Sequence, residues 1–82
     1  MDYNKIVAAN IRKLRRRAGM SQEHLANLVG MSPQHLSKIE RCMASPRVDT
    51  IVRIAARLDV SPARFFDPLD FDSAVYVYTD ID

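Results

Sequence analysis

The sequence predicts a small all-α domain of five short helices. Apolar residues recur in several segments at the three- and four-residue spacing of one helix face. One motif occurs three times: an apolar residue, then a serine, then a second apolar residue four positions after the serine. Both glycines and two of the four prolines stand where helices are expected to end or begin. The chain has 82 residues with 48% apolar content, which suits one domain with a single core.

The first helix is predicted to begin after Asp2 or Asn4 and to run to about Ala18, with Gly19 as a left-handed terminator. Its core-facing stripe consists of Val7, Ile11, Leu14 and Ala18. At about 100° per residue, Arg15 borders this stripe, which favours a structural role. The other basic residues of this helix are predicted to face solvent or phosphate: Arg12, Lys13, Arg16 and Arg17.

The threefold motif predicts three helix starts with a serine N-cap and a hydrophobic staple. Its members are Met20-Ser21 with Leu25, Met31-Ser32 with Leu36, and Val60-Ser61 with Phe65. Pro33 and Pro62 follow two of the serines at the first helical position, where a missing N–H costs nothing. Asp49 is expected to cap a fourth helix through about Leu58. Residues 42 to 48 form the loop before it, in which Pro46 prevents continuation of the preceding helix.

Between Gln22 and Arg41 the chain reads QEHLANLVGMSPQHLSKIER, two short helices joined by a tight turn. Ala26 is small where the helices approach closely, and Gly30 suits a positive φ at the turn. Leu25 and Val29 on the first helix face Leu36 and Ile39 on the second. Together with IRKLRRRAGMS before it and IVRIAARLDVSPARFF after it, this segment resembles the phage repressor and Cro helix-turn-helix proteins, the XRE-type family. The resemblance covers roughly residues 5 to 66 and implies a compact, lambda-repressor-like DNA-binding domain.

The second helix of the motif presents a polar face: Ser37, Lys38 and Arg41 fall within about 60° of Gln34 on the helical wheel. In the family this helix enters the major groove. The resemblance implies that Gln34 and Lys38 read bases, Gln by bidentate bonds to adenine and Lys by donation to guanine. Ser37 lies on the same face. Pro33 matches another family position that reads bases, but it has no side-chain donor and can offer only apolar contact. A solvated polar face is the simpler alternative.

Residues expected to contact DNA phosphates surround this face: Gln22, Ser32, Arg41, Ser45 and Arg47. Gln22 begins a helix, where exposed N–H groups favour an anion. The resemblance also implies an Arg15–Glu40 ion pair that fixes the recognition helix on the domain. Cys42 stands where the family often has glycine, so either its backbone is strained or the helix end is remodelled. His24 is expected on the surface, and His35 on a partly buried flank.

Charge is distributed unevenly along the chain. Residues 1 to 66 hold all twelve basic residues against five acidic ones, a net charge of +7, and residues 67 to 82 hold five Asp and no base. A basic domain favours a polyanion partner, here double-stranded DNA. We therefore divide the chain into a DNA-binding domain, 1–66, and an acidic tail, 67–82. The stretch AVYVYT within the tail has strand propensity, but one strand must pair with a symmetry mate, dock on the helices or stay disordered.

The favoured function is a sequence-specific DNA-binding transcriptional regulator, a repressor or autoregulator. It is expected to bind a palindromic operator as a homodimer, since one such module buries limited surface. The predicted interface consists of Phe65, Phe66, Val75, Tyr76, Val77 and Tyr78. The alternative is an antitoxin or anti-repressor whose acidic aromatic tail binds a protein partner or its own DNA face. No acid/base pair, phosphate loop or metal-ligand spacing indicates an enzyme, a cofactor or a metal site. No signal peptide, membrane span or small-molecule effector domain is indicated, and one cysteine suits the cytoplasm.

Overall fold

The computed structural model describes residues 2–68 and contains four α-helices and one short 3-10 helix in that range. The α-helices are α1 (Tyr3–Arg17), α2 (Gln22–Val29), α3 (Pro33–Glu40) and α4 (Val48–Leu58). The fifth predicted helix, Pro62–Phe66, is the 3-10 helix. The stretch AVYVYT, residues 74–79, to which the sequence gives strand propensity, lies outside the described residues.

The helix starts follow the local capping signals. Ser21 accepts a hydrogen bond from the backbone N–H of His24 at 3.0 Å, and Ser32 accepts one from His35 at 3.1 Å. Ser61 caps the 3-10 helix, and Asp2 caps α1 through its carboxylate. The three serine predictions are thus confirmed. Each cap satisfies an N–H that its helix leaves unpaired.

The start of α4 differs from the prediction. The helix begins two residues earlier than expected, with Arg47 at the N-cap and no side-chain cap bond. Asp49 lies inside the first turn and forms an exposed ion pair with Arg47, with 3.4 Å between Nε and Oδ1. The prediction that Asp49 caps this helix is therefore wrong, although a carboxylate in the first turn still suits the helix dipole.

All four α-helices end in the same pair of backbone hydrogen bonds, the Schellman arrangement, around one residue with positive φ. The four positive-φ residues are Gly19, Gly30, Cys42 and Asp59. The residue after each is apolar, and Met20, Met31 and Val60 pack against the core. Met43, the fourth, remains 65% exposed. Three of these helix ends therefore place a partly buried apolar residue against the core immediately before the serine that starts the next helix.

The core lies where α1 packs against α3, α4 and the 3-10 helix, and where α2 packs against α3 and α4. The predicted stripes are buried, including Ile11, Leu25, Leu36 and Ile54. Ala18 is exposed at the C-cap of α1, so it does not extend the stripe. Because α1 contacts three other elements, more than one of its faces is covered.

Three polar residues of α1 are buried for this reason: Asn10, Arg12 and Arg15. Arg12 is 5% exposed, which corrects the prediction that it faces solvent. Asn10 is 1% exposed, and its amide nitrogen donates to the carbonyls of Arg64, Phe65 and Asp67 at 3.0–3.3 Å. These bonds attach the 3-10 helix to α1.

Candidate nucleic-acid interface

One side of α3 is buried against the domain, and the opposite side faces outward. Leu36, Ile39 and Glu40 are at most 1% exposed. Gln34 and Lys38, one turn apart on the opposite half of the helix, are exposed. Both side chains combine hydrogen-bonding groups with rotatable stems, so they can reach groups beyond the protein surface. The face predicted from the helical wheel is therefore the exposed one.

The two remaining predicted reading residues are less accessible. Ser37 is half-buried, as is Pro33 at the first position of α3. Pro33 also lines a groove of about 650 Å³ between the N-terminal ends of α2 and α3. The other lining residues are Ser21, Gln22, Glu23, His24 and Asn27. Glu23 and Asn27 carried no signal in the sequence, because only the packing of α2 beside α3 brings them next to Pro33.

A buried ion pair fixes α3 on the domain. Arg15 Nε donates to Glu40 Oε2 at 2.8 Å, and Arg15 Nη2 donates to Glu40 Oε1 at 3.0 Å. Arg15 and Glu40 are 1% and 0% exposed. Arg15 Nη1 also donates to the Met20 carbonyl at 2.7 Å, in the turn between α1 and α2. The predicted bidentate pair is thus present, and one guanidinium joins α1 to the α1–α2 turn and to the end of α3.

Gln22 takes part in the same network, which sequence reasoning did not foresee. Its Nε2 donates to Glu40 Oε1 at 3.0 Å. The side chain of the first residue of α2 is therefore held against the last residue of α3. This bond orients the N-terminal end of α2, whose backbone N–H groups and dipole favour an anion.

The predicted phosphate contacts differ in their local bonding. Ser32 Oγ accepts from the His35 N–H, which leaves the hydroxyl hydrogen able to donate elsewhere. Ser45 Oγ instead donates to Asn4 Oδ1 at 3.2 Å. Arg47 is 86% exposed beside Asp49, and Arg41 is exposed at the C-cap of α3. An exposed pair such as Arg47–Asp49 contributes little to stability, so Arg47 can exchange partners at small cost.

The backbone at Cys42 is strained, the first of the two alternatives predicted for this position. Cys42 has φ 62°, and the Met43 N–H donates to the Lys38 carbonyl at 2.8 Å. The helix end therefore keeps the form that glycine would adopt. A non-glycine residue in this conformation costs about 1–2 kcal/mol.

The two histidines and the two phenylalanines of the predicted interface differ in exposure. His24 is exposed as predicted. His35 is also exposed, so the prediction that it lies on a partly buried flank is wrong. Phe65 is 0% exposed inside the core, so the prediction that its side chain forms a dimer interface is wrong. Phe66 is 43% exposed. Val75, Tyr76, Val77 and Tyr78 lie outside the described residues.

Within residues 2–68, no helix is long and apolar enough to cross a membrane. Within the same range, no cluster of three His, Cys, Asp or Glu residues has the arrangement needed to hold a metal ion.

Comparison with known proteins gives consistent matches across this region. A family model described as helix-turn-helix matches residues 11–65. The HTH-type transcriptional regulator y4dJ of Sinorhizobium fredii is 39% identical over 70 residues, which are 85% of this chain and 91% of the relative.

Solved structures share the fold. The restriction-modification controller protein C.AhdI from Aeromonas hydrophila is 30% identical with a TM-score of 0.74, over 77% of this chain and 96% of that chain. The biofilm master regulator SinR, crystallised in complex with DNA, is 31% identical with a TM-score of 0.70, over 74% of this chain and 98% of that chain.

Proposed function

Because the chain belongs to the XRE-type helix-turn-helix family of DNA-binding transcriptional regulators, we propose that it binds a palindromic operator as a homodimer, in the cytoplasm, and acts as a repressor or autoregulator. The observation that carries this proposal is the exposed face of α3 with Gln34 and Lys38. On the opposite side of the helix, Leu36 and Glu40 are fully buried. A helix anchored in this way can enter a major groove without loss of core packing.

Gln34 and Lys38 are proposed to read base edges. A glutamine amide can bond adenine N6 and N7 together, and a lysine ammonium can donate to guanine O6 and N7. Ser37 can bond either kind of base, and Pro33 offers apolar contact to a thymine methyl. Each good bidentate contact discriminates against a wrong base by about 1–3 kcal/mol.

Ser32, Arg41 and Arg47 are proposed to contact phosphates and so to set the register of α3 without reading sequence. Gln22 contributes mainly through the backbone N–H groups of the α2 N-terminus, because its amide donates to Glu40. Ser45 is the weakest of the predicted phosphate contacts, because its hydroxyl donates to Asn4.

Dimerisation follows from affinity and symmetry. A single domain of this size offers few phosphate contacts and one recognition helix, whereas two copies read half-sites about one helical turn apart. Phe66, at 43% exposure, is the described residue that we propose for the interface.

The test is a binding titration against DNA from the region upstream of the gene, with scrambled competitor and several salt concentrations. We expect tight binding that survives competitor in the wild type and is lost in Gln34→Ala/Lys38→Ala. Arg57→Ala, which removes one exposed cation on α4, serves as the control and should bind nearly as well as the wild type.

Two further readouts separate base reading from phosphate contact. Lys38→Ala should weaken the preference for one G·C pair, and Arg47→Ala should weaken binding to all sequences and reduce the salt slope by about 1. Weak, steeply salt-dependent binding that is equal for wild type and double variant would contradict the proposal. It would favour the alternative of a protein-interaction module.

A further inference from the structure

A second groove lies on the α2–α4 side of the domain. It has a volume of about 380 Å³ and is lined by Leu28, Val29, Arg53, Ala56 and Arg57. None of these residues belongs to the predicted DNA contacts. We call it the α2–α4 groove.

The groove combines an apolar floor with two cations. Leu28, Val29 and Ala56 supply aliphatic surface, and Arg53 and Arg57 lie one turn apart on α4. Arg53 Nη1 donates to the Val29 carbonyl at 2.9 Å, which holds its guanidinium beside the groove. Of the carboxylates within residues 2–68, none forms an ion pair with Arg53 or Arg57. Such a surface suits a segment that carries both carboxylates and large apolar side chains.

We propose that residues 69–82 of the same chain dock in the α2–α4 groove. This segment, LDFDSAVYVYTDID, carries four Asp and no Lys or Arg. Its carboxylates are interleaved with apolar side chains such as Phe71, Tyr76 and Ile81. The composition therefore complements both the charge and the apolar floor of the groove.

The length of the segment permits this arrangement. The described chain ends at Pro68, just after the 3-10 helix that packs against α1 and α4. Fourteen residues can span up to about 46 Å when extended. The longest dimension of the domain is 30 Å, so the C-terminal part of the segment can reach the groove by a direct path.

The tether favours this occupant over a separate partner. A shallow groove with two exposed arginines offers modest affinity, since exposed ion pairs are each worth little. A covalently attached segment has an effective concentration on the order of millimolar, which a free acidic peptide seldom reaches. Docking here would leave α3 open to DNA and would remove Tyr76 and Tyr78 from a dimer interface.

Paramagnetic relaxation in the full-length chain tests the proposal. A nitroxide is attached at Thr79→Cys in a Cys42→Gly background, so that the label has one attachment site. We expect loss of amide peak intensity at Leu28, Val29 and Arg57 that is recovered when the nitroxide is reduced. The loss should be the same at two concentrations tenfold apart and should weaken at high salt.

A pair of charge reversals supplies the control. Arg57→Glu should abolish the intensity loss in the groove, whereas Arg17→Glu, which changes the net charge equally on α1, should not. Intensity loss confined to α3 would overturn the proposal in favour of docking on the DNA face. Transfer of broadening between labelled and unlabelled molecules would assign the groove to a second copy, and no broadening at all would also overturn the proposal. Since no DNA is present, these results are independent of the operator titration.

Discussion

Replacement of Glu40 by Met should lower the free energy of unfolding by about 3–5 kcal/mol, because the variant leaves the Arg15 guanidinium buried without its carboxylate. Glu40 is fully buried and accepts three hydrogen bonds, two from Arg15 and one from Gln22, at 2.8–3.0 Å. A domain of this size is stable by about 3–10 kcal/mol in total. The single substitution therefore removes a large share of the stability.

The double variant Arg15→Met/Glu40→Met gives the sharper test. Removal of both charges also removes the cost of burying them, so exchange of a buried ion pair for apolar residues is often neutral or stabilising. We expect each single variant to lose about 3–5 kcal/mol and the double variant to lose far less than their sum. Methionine is chosen because its unbranched chain can fill the space of either side chain.

Urea unfolding followed by circular dichroism measures all four proteins, with sucrose added if a single variant is unfolded in buffer. The exposed pair supplies the matched control: Arg47→Met/Asp49→Asn should change stability by no more than about 1 kcal/mol. Additive losses in the buried double variant, or a loss below about 1 kcal/mol for Glu40→Met, would refute the reasoning.

Three further predictions follow from single contacts. Cys42→Gly should raise the free energy of unfolding in urea by about 0.5–1 kcal/mol, since relief of a left-handed backbone outweighs the added glycine entropy. Cys42→Ala should not raise it, and equal stabilities for the two variants would contradict this prediction. Asn10→Ala should cost about 1–3 kcal/mol and speed hydrogen exchange at the 3-10 helix, because three carbonyls lose their donor; unchanged exchange there would argue against this attachment. Phe65→Ala should lower the free energy of unfolding by about 3–5 kcal/mol as a core truncation. Phe66→Ala should change stability little and weaken self-association in analytical ultracentrifugation. A sedimentation coefficient that equals the wild-type value at all concentrations would exclude Phe66 from the interface.

Local signals explain why so much of the fold could be predicted from the sequence. A serine cap or a terminal glycine acts on backbone groups within a few residues, so Ser21, Ser32 and Gly30 mark helix boundaries independently of the rest of the chain. The recognition face of α3 follows in the same way. Burial of Leu36 and Ile39 at helical spacing leaves Gln34 and Lys38 on the opposite side.

The tertiary structure decided the roles of residues whose environment comes from distant segments. Arg12 is buried because α1 is covered on several sides, which one helical wheel does not indicate. Phe65 carried two predictions, a hydrophobic staple and a dimer interface, and the 3-10 helix turns its side chain into the core, where Asn10 holds its backbone carbonyl. The Gln22–Glu40 bond joins residues 18 apart in sequence. Hydrophobic periodicity and capping thus determined the helices and the exposed face, whereas packing between helices decided which polar groups are buried and which partners they bind.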